Sequence, residues 1–204
     1  STAECSSAPT TGIVSLLPSV TLTLTSGSNE QTVCINTPIE NIVYTTVNAT
    51  DVTVTGLPDG VTGSFNNNEF TIIGTPTLAG TYNYTVSTVG GCNTETASGS
   101  IIVNPDSTLS LTSGNDTQTV CINTPIVDIT YASTDATDVL VTGLPNGVTA
   151  TFANGLLIIS GTPTEAGIFN YTATTVSTCT TVTLSGTITV NPNVTLALTS
   201  GSNT

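Results

Sequence analysis

The stretch Gln31-Thr32-Val33-Cys34-Ile35-Asn36-Thr37-Pro38-Ile39 recurs without a change as Gln118 to Ile126. The offset of 87 residues that lays Cys34 on Cys121 also lays Cys92 on Cys179, with no gap. In the same register Gly56-Leu57-Pro58-Asp59-Gly60-Val61-Thr62 falls on Gly143-Leu144-Pro145-Asn146-Gly147-Val148-Thr149. Gly74-Thr75-Pro76-Thr77-Leu78-Ala79-Gly80 falls on Gly161-Thr162-Pro163-Thr164-Glu165-Ala166-Gly167. The chain is a tandem duplication, and a repeat of this length decides the architecture before any local reading does. Two whole copies span 19–105 and 106–192. Cys5, Gly12, Val14, Leu16 and Pro18 lie 87 before Cys92, Gly99, Ile101, Val103 and Pro105, so 1–18 reads as the C-terminal strand of a truncated upstream repeat. Leu196, Leu198 and Gly201 repeat Leu109, Leu111 and Gly114, so 193–204 reads as the first strand of a downstream one.

Within each copy apolar and polar residues alternate with period two, the signature of half-buried strands. Leu22 and Leu24 alternate with Thr23 and Thr25, Val52 and Val54 with Thr53 and Thr55, and Tyr82, Tyr84 and Val86 with Asn83 and Thr85. Repeat two follows with Leu109 and Leu111, Val139 and Val141, Phe169 and Tyr171, and Ile188 and Val190. Ser26-Gly27, Asn66-Asn67-Asn68, Gly90-Gly91 and Asn104-Pro105 punctuate the strands as turns. No 3.6-residue period is sustained, and the β-branched Thr, Val and Ile favour strands over helices. About seven short strands in under 90 residues predict an all-β chain of tandem immunoglobulin-like β-sandwiches, without the core Trp of antibody domains.

Composition narrows the function. The 204 residues contain no Lys, Arg or His against thirteen Asp and Glu, a formal charge of −13. Nucleic acid is excluded as a partner, because displacing the counterions on phosphate requires cationic side chains, and a basic membrane-surface patch is excluded likewise. No apolar run is long enough for a membrane helix. Catalysis lacks its commonest base, His, and also Lys and Arg. The carboxylates do not recur: Glu40 aligns with Val127, Glu69 with Leu156 and Glu95 with Val182, while only Asp51 and Asp138 correspond. A catalytic dyad would be expected in both copies, so the chain reads as non-enzymatic.

The paired Gly-Leu-Pro-Xaa-Gly-Val-Thr and Gly-Thr-Pro-Thr-Xaa-Ala-Gly motifs, followed by Tyr82-Asn83-Tyr84-Thr85-Val86, resemble the immunoglobulin-like repeats of large bacterial surface proteins. With Cys-Ile-Asn-Thr-Pro they are most similar to long repeat adhesins of Bacteroidetes-type bacteria, including gliding-motility adhesins. The resemblance implies an extracellular, cell-surface structural module: a stiff stalk or filament whose partners are neighbouring repeats or identical chains. The alternative is a binding module that grips glycan or a surface through pole loops or edge strands.

Each full repeat holds two cysteines 58 residues apart, so Cys34 with Cys92 and Cys121 with Cys179 are the simplest disulfides, with free thiols as the alternative. Cys5 then belongs to a missing upstream partner. Such pairs imply an oxidising compartment. Further candidates are Asn104 and Asp106 at a repeat junction, whose oxygens suit calcium. No other cofactor is expected. The sequons at Asn83 and Asn170, and Ser107 within Asp106-Ser107-Thr108, are candidate glycan acceptors.

Overall fold

In the computed structural model, residues 17–194 are described. They include sixteen strands and no helix, and the chain divides into two compact units, Ser1–Ile102 and Val103–Thr204. The first eight strands are β1 (Thr21–Ser26), β2 (Glu30–Cys34), β3 (Ile42–Val47), β4 (Asp51–Thr55), β5 (Val61–Asn66), β6 (Glu69–Gly74), β7 (Gly80–Val89) and β8 (Thr96–Asn104). The next eight repeat them: β9 (Thr108–Ser113), β10 (Thr117–Cys121), β11 (Ile129–Thr134), β12 (Asp138–Thr142), β13 (Val148–Ala153), β14 (Leu156–Gly161), β15 (Gly167–Val176) and β16 (Thr183–Asn191). Eight strands form per repeat rather than seven, because the first strand is broken at Gly27–Asn29 and its two halves join different sheets.

One sheet of each repeat has the order β1-β3-β6-β5 or β9-β11-β14-β13, the other β2-β8-β7-β4 or β10-β16-β15-β12. The registers given for the pairs are antiparallel except β10 with β16, which runs parallel from Thr117↔Thr187 to Cys121↔Asn191. The expected all-β sandwich is therefore present, closed by the hydrophobic faces that alternation places inward. In the second repeat Ile129 and Tyr131 of β11 and Leu157 and Ile159 of β14 meet Tyr171 and Ala173 of β15 and Ile188 and Val190 of β16 in one core cluster. The first repeat buries Ile42, Tyr44, Phe70, Ile72, Tyr84, Val86, Ile101 and Val103 at the corresponding places.

Local chemistry sets the turns. The β5–β6 and β13–β14 hairpins have two-residue loops, Asn67-Asn68 and Asn154-Gly155, with all four φ values between 50° and 75°. Two positive φ values in succession define the type I′ turn, which matches strand twist and which Asn and Gly tolerate.

The centre of each core is a pair of tyrosines rather than a tryptophan. Tyr44 and Tyr84 bring their hydroxyls to 3.4 Å across the sandwich, and Tyr131 and Tyr171 to 2.9 Å. Tyr84 donates to the Asn29 carbonyl at 3.2 Å and Tyr171 to the Asp116 carbonyl at 3.4 Å. A phenol has one proton, so Tyr44 and Tyr131 must donate to their partners. Room for this chain exists only because Gly99 and Gly186 lack side chains. A Cβ at Gly99 would overlap the Tyr84 phenol and the Asn29 carbonyl, and one at Gly186 the Tyr171 phenol and the Asp116 carbonyl. Gly186→Ala is expected to destabilise the second repeat by about 2–3 kcal/mol, read from urea unfolding, because neither backbone nor ring can give way cheaply.

Burial pushes the Tyr84 and Tyr171 hydroxyls well above the ordinary phenol range, the Tyr44 and Tyr131 hydrogen bonds raise them further, and burial raises Tyr131 against the opposing effect of its bond to Tyr171. An unfolded tyrosine ionises near about pH 10. Above that pH the unfolded chain releases protons that the folded one retains. The stabilisation these groups provide is therefore fully present below about pH 10 and is lost as pH rises beyond it. Urea midpoints measured from about pH 8 upward should stay flat and then fall, with tyrosinate absorbance of the buried rings appearing together with unfolding.

Candidate functional site

Each repeat has two chemically distinct poles. At one, three sequence motifs meet through the backbone. In the first repeat the Asn36 amide donates to the Pro76 carbonyl (2.9 Å), Ile39 to Gly74 (3.0 Å), Thr75 to Gly60 (3.0 Å) and Thr77 to Asp59 (3.0 Å). The same bonds recur as Asn123 to Pro163, Ile126 to Gly161, Thr162 to Gly147 and Thr164 to Asn146. Asn36 and Asn123 sit at φ 60° and 62°, a left-handed turn that Asn accepts at small cost. The invariant glutamine clamps the segment that leads into the next strand. Gln31 donates to the Glu40 carbonyl and accepts from its amide, both at 2.9 Å, and Gln118 does the same to Val127 at 2.7 and 2.9 Å. Identity over nine residues thus reflects a shared scaffold that carries Cys34 and Cys121 at the end of β2 and β10.

The opposite pole holds the β7–β8 and β15–β16 connections with Cys92 and Cys179. The Cys92 amide donates to the Pro18 carbonyl at 3.2 Å, and the Ser19 hydroxyl lies 3.7 Å from the Cys92 sulfur. The Cys179 sulfur lies 3.8 Å from the Asn104 carbonyl oxygen. This is the pole at which the chain enters each repeat.

The expected disulfides Cys34–Cys92 and Cys121–Cys179 are overturned. Cys92 and Cys121 carry free, exposed thiols, whereas Cys34 and Cys179 are disulfide-bonded. The reason is the length of a strand. Cys121 pairs with Asn191, the last residue of β16, while Cys179 precedes Thr183, the first. Eight rises of about 3.3 Å separate those strand ends by roughly 26 Å. A disulfide needs Cα atoms within about 7 Å. Cys5 lies outside the described residues.

The acidic side chains scatter because their backbones, not their carboxylates, do the shared work. The Glu95 amide donates to the buried Thr88 hydroxyl at 2.9 Å and its carbonyl accepts from the Thr88 amide. Val182 makes the same two bonds to Thr175. Asp51 and Asp138, which do correspond, accept from the next amides, Val52 at 2.8 Å and Val139 at 2.7 Å, a local strand-start bond. Among the described residues no three carboxylates or cysteines cluster as a metal group. Asn104 and Asp106 are half-buried at the entry to the second repeat.

Asn83 and Asn170 are exposed, as their outward phase predicts, and Asn170 accepts a 2.9 Å bond from Thr187. Ser107 is corrected as a glycan acceptor. It is 3% exposed, donates to the Thr180 carbonyl at 2.6 Å and sits 2.9 Å from the Thr175 hydroxyl, so no sugar fits on the folded chain. An open polar depression over β5 and β6 is lined by Ser64, Asn66, Asn67, Glu69 and Thr71. Repeat two replaces three of these with Ala153, Leu156 and Ile158, so the depression is not a feature of the repeat.

No family model matches the chain. Among curated proteins it is 36% identical over 156 residues to the "Serine-rich adhesin for platelets" of Staphylococcus aureus strain MRSA252, covering 72% of this chain and 11% of that protein. The counterpart from strain MSSA476 is 35% identical over 156 residues, covering 72% of this chain and 7% of that protein. The chain thus spans about a tenth or less of the length of these relatives. Among solved structures it is similar to the I-band fragment I67-I69 from titin, with TM-score 0.60, 11% identity and coverage of 88% of this chain and 67% of that one. A variant described as the 3Ig structure of the same titin domains matches with TM-score 0.60 and 10% identity, again over 88% of this chain and 67% of that one. The fold is immunoglobulin-like.

Ser107→Ala leaves the Thr180 carbonyl without its donor, and is expected to lower the stability of the second repeat by about 1–2 kcal/mol in urea unfolding. Intact-mass measurement should find Ser107 unmodified.

Proposed function

We propose that this chain is a structural and adhesive module of an extracellular bacterial surface protein, one in which repeated sandwiches carry load and hold a binding function away from the cell. The observation that carries the reading is the duplication. The Tyr-Tyr-Gly core, the motif pole and the glutamine clamp are kept in both copies, while surface carboxylates and the polar depression are not. Selection on what holds a domain together, without selection on a shared cleft, is what a spacer requires. The adhesins named above, matched over 72% of this chain, support the surface role, and the disulfide state of Cys34 and Cys179 supports an oxidising location. The narrower likeness to gliding-motility adhesins rests on the sequence motifs alone.

A stiff stalk follows from short connections: β8 ends at Asn104 and β9 begins at Thr108, too few residues to act as a flexible tether. Single-molecule extension of the reduced chain tests the load-bearing reading. Two discrete unfolding steps are expected, each releasing roughly 300 Å of contour at about 3.5 Å per residue. Smooth extension without force peaks would sink it. Beads coated with the protein and challenged with glycan or cell surfaces test the adhesive part, and strong retention blocked by altering the pole loops would transfer the main role from spacer to receptor.

A further inference from the structure

Each repeat turns two sheet faces outward, and the two copies treat them differently. On the central strands of the first sheet, Val43, Thr45 and Val47 of β3 correspond to Thr130, Ala132 and Thr134 of β11. Glu69, Thr71 and Ile73 of β6 correspond to Leu156, Ile158 and Ser160 of β14. No position keeps its side chain. On the central strands of the second sheet, Asn83, Thr85 and Ser87 of β7 correspond to Asn170, Thr172 and Thr174 of β15. Thr96, Ser98 and Ser100 of β8 correspond to Thr183, Ser185 and Thr187 of β16. Every position keeps a hydroxyl or the same amide. Even the variable end keeps its contents: Ile168 stands opposite Thr189, and the corresponding residues are Thr81 and Ile102, the same two side chains exchanged.

The retained residues are exposed or half-buried on the side away from the core, so packing does not account for them. Strand propensity does not either, since Asn is depleted in strands. We infer that the outward face of the second sheet is a binding surface in each repeat and that its ligand is a neutral polysaccharide. This rests on the adhesive half of the function proposed above, and gives it a place and a ligand chemistry.

Charge selects the ligand class. The chain carries thirteen carboxylates and none lies on β7, β8, β15 or β16. An anionic polymer is repelled by the net charge of −13, and a cationic one finds no carboxylate on these strands to pair with. A protein partner needs aromatic or apolar anchors at the centre of the contact, where this face has hydroxyls and an amide. A neutral polymer of hydroxyls fits, because each of its groups both donates and accepts, as Thr and Ser do.

The second repeat shows the groups already ordered. The Thr142 and Thr172 hydroxyls lie 3.0 Å apart, and those of Thr174 and Thr183 2.9 Å. Each such pair consumes one proton and leaves the other, with lone pairs on both oxygens, for a ligand. Thr187 donates to the Asn170 side-chain oxygen at 2.9 Å, which orients the amide and leaves its NH2 as a donor. Thr172 stands opposite Ser185, Asn170 opposite Thr187, and Thr187 opposite Thr117. Such rows repeat at about 4.8 Å from strand to strand and about 6.6 Å along each strand. An open array of this kind suits an extended chain rather than a single sugar in a pocket. The Asn-Tyr-Thr sequences at 83–85 and 170–172 are then pairs of successive ligand contacts.

Affinity electrophoresis of the 204-residue chain in gels containing amylose, dextran or mannan, with polygalacturonate as the anionic comparator, tests this. At least one neutral polymer is expected to retard the chain, and raising NaCl from about 0.05 to 0.5 M should not release it, as it would an ionic contact. Combining Thr85→Val, Ser98→Ala, Thr172→Val and Ser185→Ala should weaken the retardation about tenfold or more, since each lost hydrogen bond costs roughly fivefold. The urea midpoint serves as the check that this variant is folded. A second variant, Asn83→Asp with Asn170→Asp, keeps an acceptor for Thr187 but removes the amide donors, and should weaken retardation as well. Thr45→Val with Thr71→Val and Thr130→Val, on the other sheet, should change nothing. Unchanged retardation of both face variants, retardation by polygalacturonate alone, or none by any neutral polymer would overturn the inference. The bead assay above reads adhesion through any site, so it separates failure of this face from failure of the adhesive reading.

Discussion

The structure depends on a buried hydrogen-bonded chain: one tyrosine donating to a second across the sandwich, and the second donating to a backbone carbonyl at the break in the first strand. Rings of this size dominate what a small core can bury, and each brings one polar atom that must be satisfied inside it. The solution uses each hydroxyl proton once and fixes three parts of the fold relative to one another. It ties the first sheet through Tyr44 or Tyr131, the second through Tyr84 or Tyr171, and the switch between sheets through Asn29 or Asp116. Gly99 and Gly186 follow from it, since a side chain there would occupy the phenol's place. No buried side-chain polar atom among the described residues is left without a partner.

The unusual charge of the chain sits comfortably on this frame. With no Lys, Arg or His, no side-chain ion pair can form, and the carboxylates contribute solubility and mutual repulsion apart from local hydrogen bonds such as those that Asp51 and Asp138 accept. Cohesion comes from apolar faces, backbone ladders and hydroxyl or amide bonds such as the glutamine clamp. Where an acidic residue stands at a structurally shared site, as Glu40 and Glu95 do, its backbone makes the shared bond, so valine in the other copy keeps that bond.

Much of this was legible in the residues. The 87-residue phase, the period-two alternation and the Asn and Gly turns predict a duplicated β-sandwich, because strand periodicity and turn chemistry are local properties. Two readings failed for a common reason. Ser107 looked like a surface acceptor from its neighbours, yet a hairpin remote in sequence covers it. Cys34 and Cys92 looked like partners because they share a repeat, yet a nine-residue strand holds their poles apart. The tyrosine pair was missed as well, although Tyr44 with Tyr131, Tyr84 with Tyr171 and Gly99 with Gly186 all recur in phase and could have been found from the repeat alone.

The sequence by itself determined the class of fold, the 87-residue internal repetition and the absence of cationic side chains, since composition and periodicity are set residue by residue. Only the tertiary structure decided which pole each cysteine occupies, which hydroxyls are buried and what the invariant residues are for. Those outcomes depend on strand direction and sheet order, and an alternating pattern is the same whichever way a strand runs and whichever neighbour it takes.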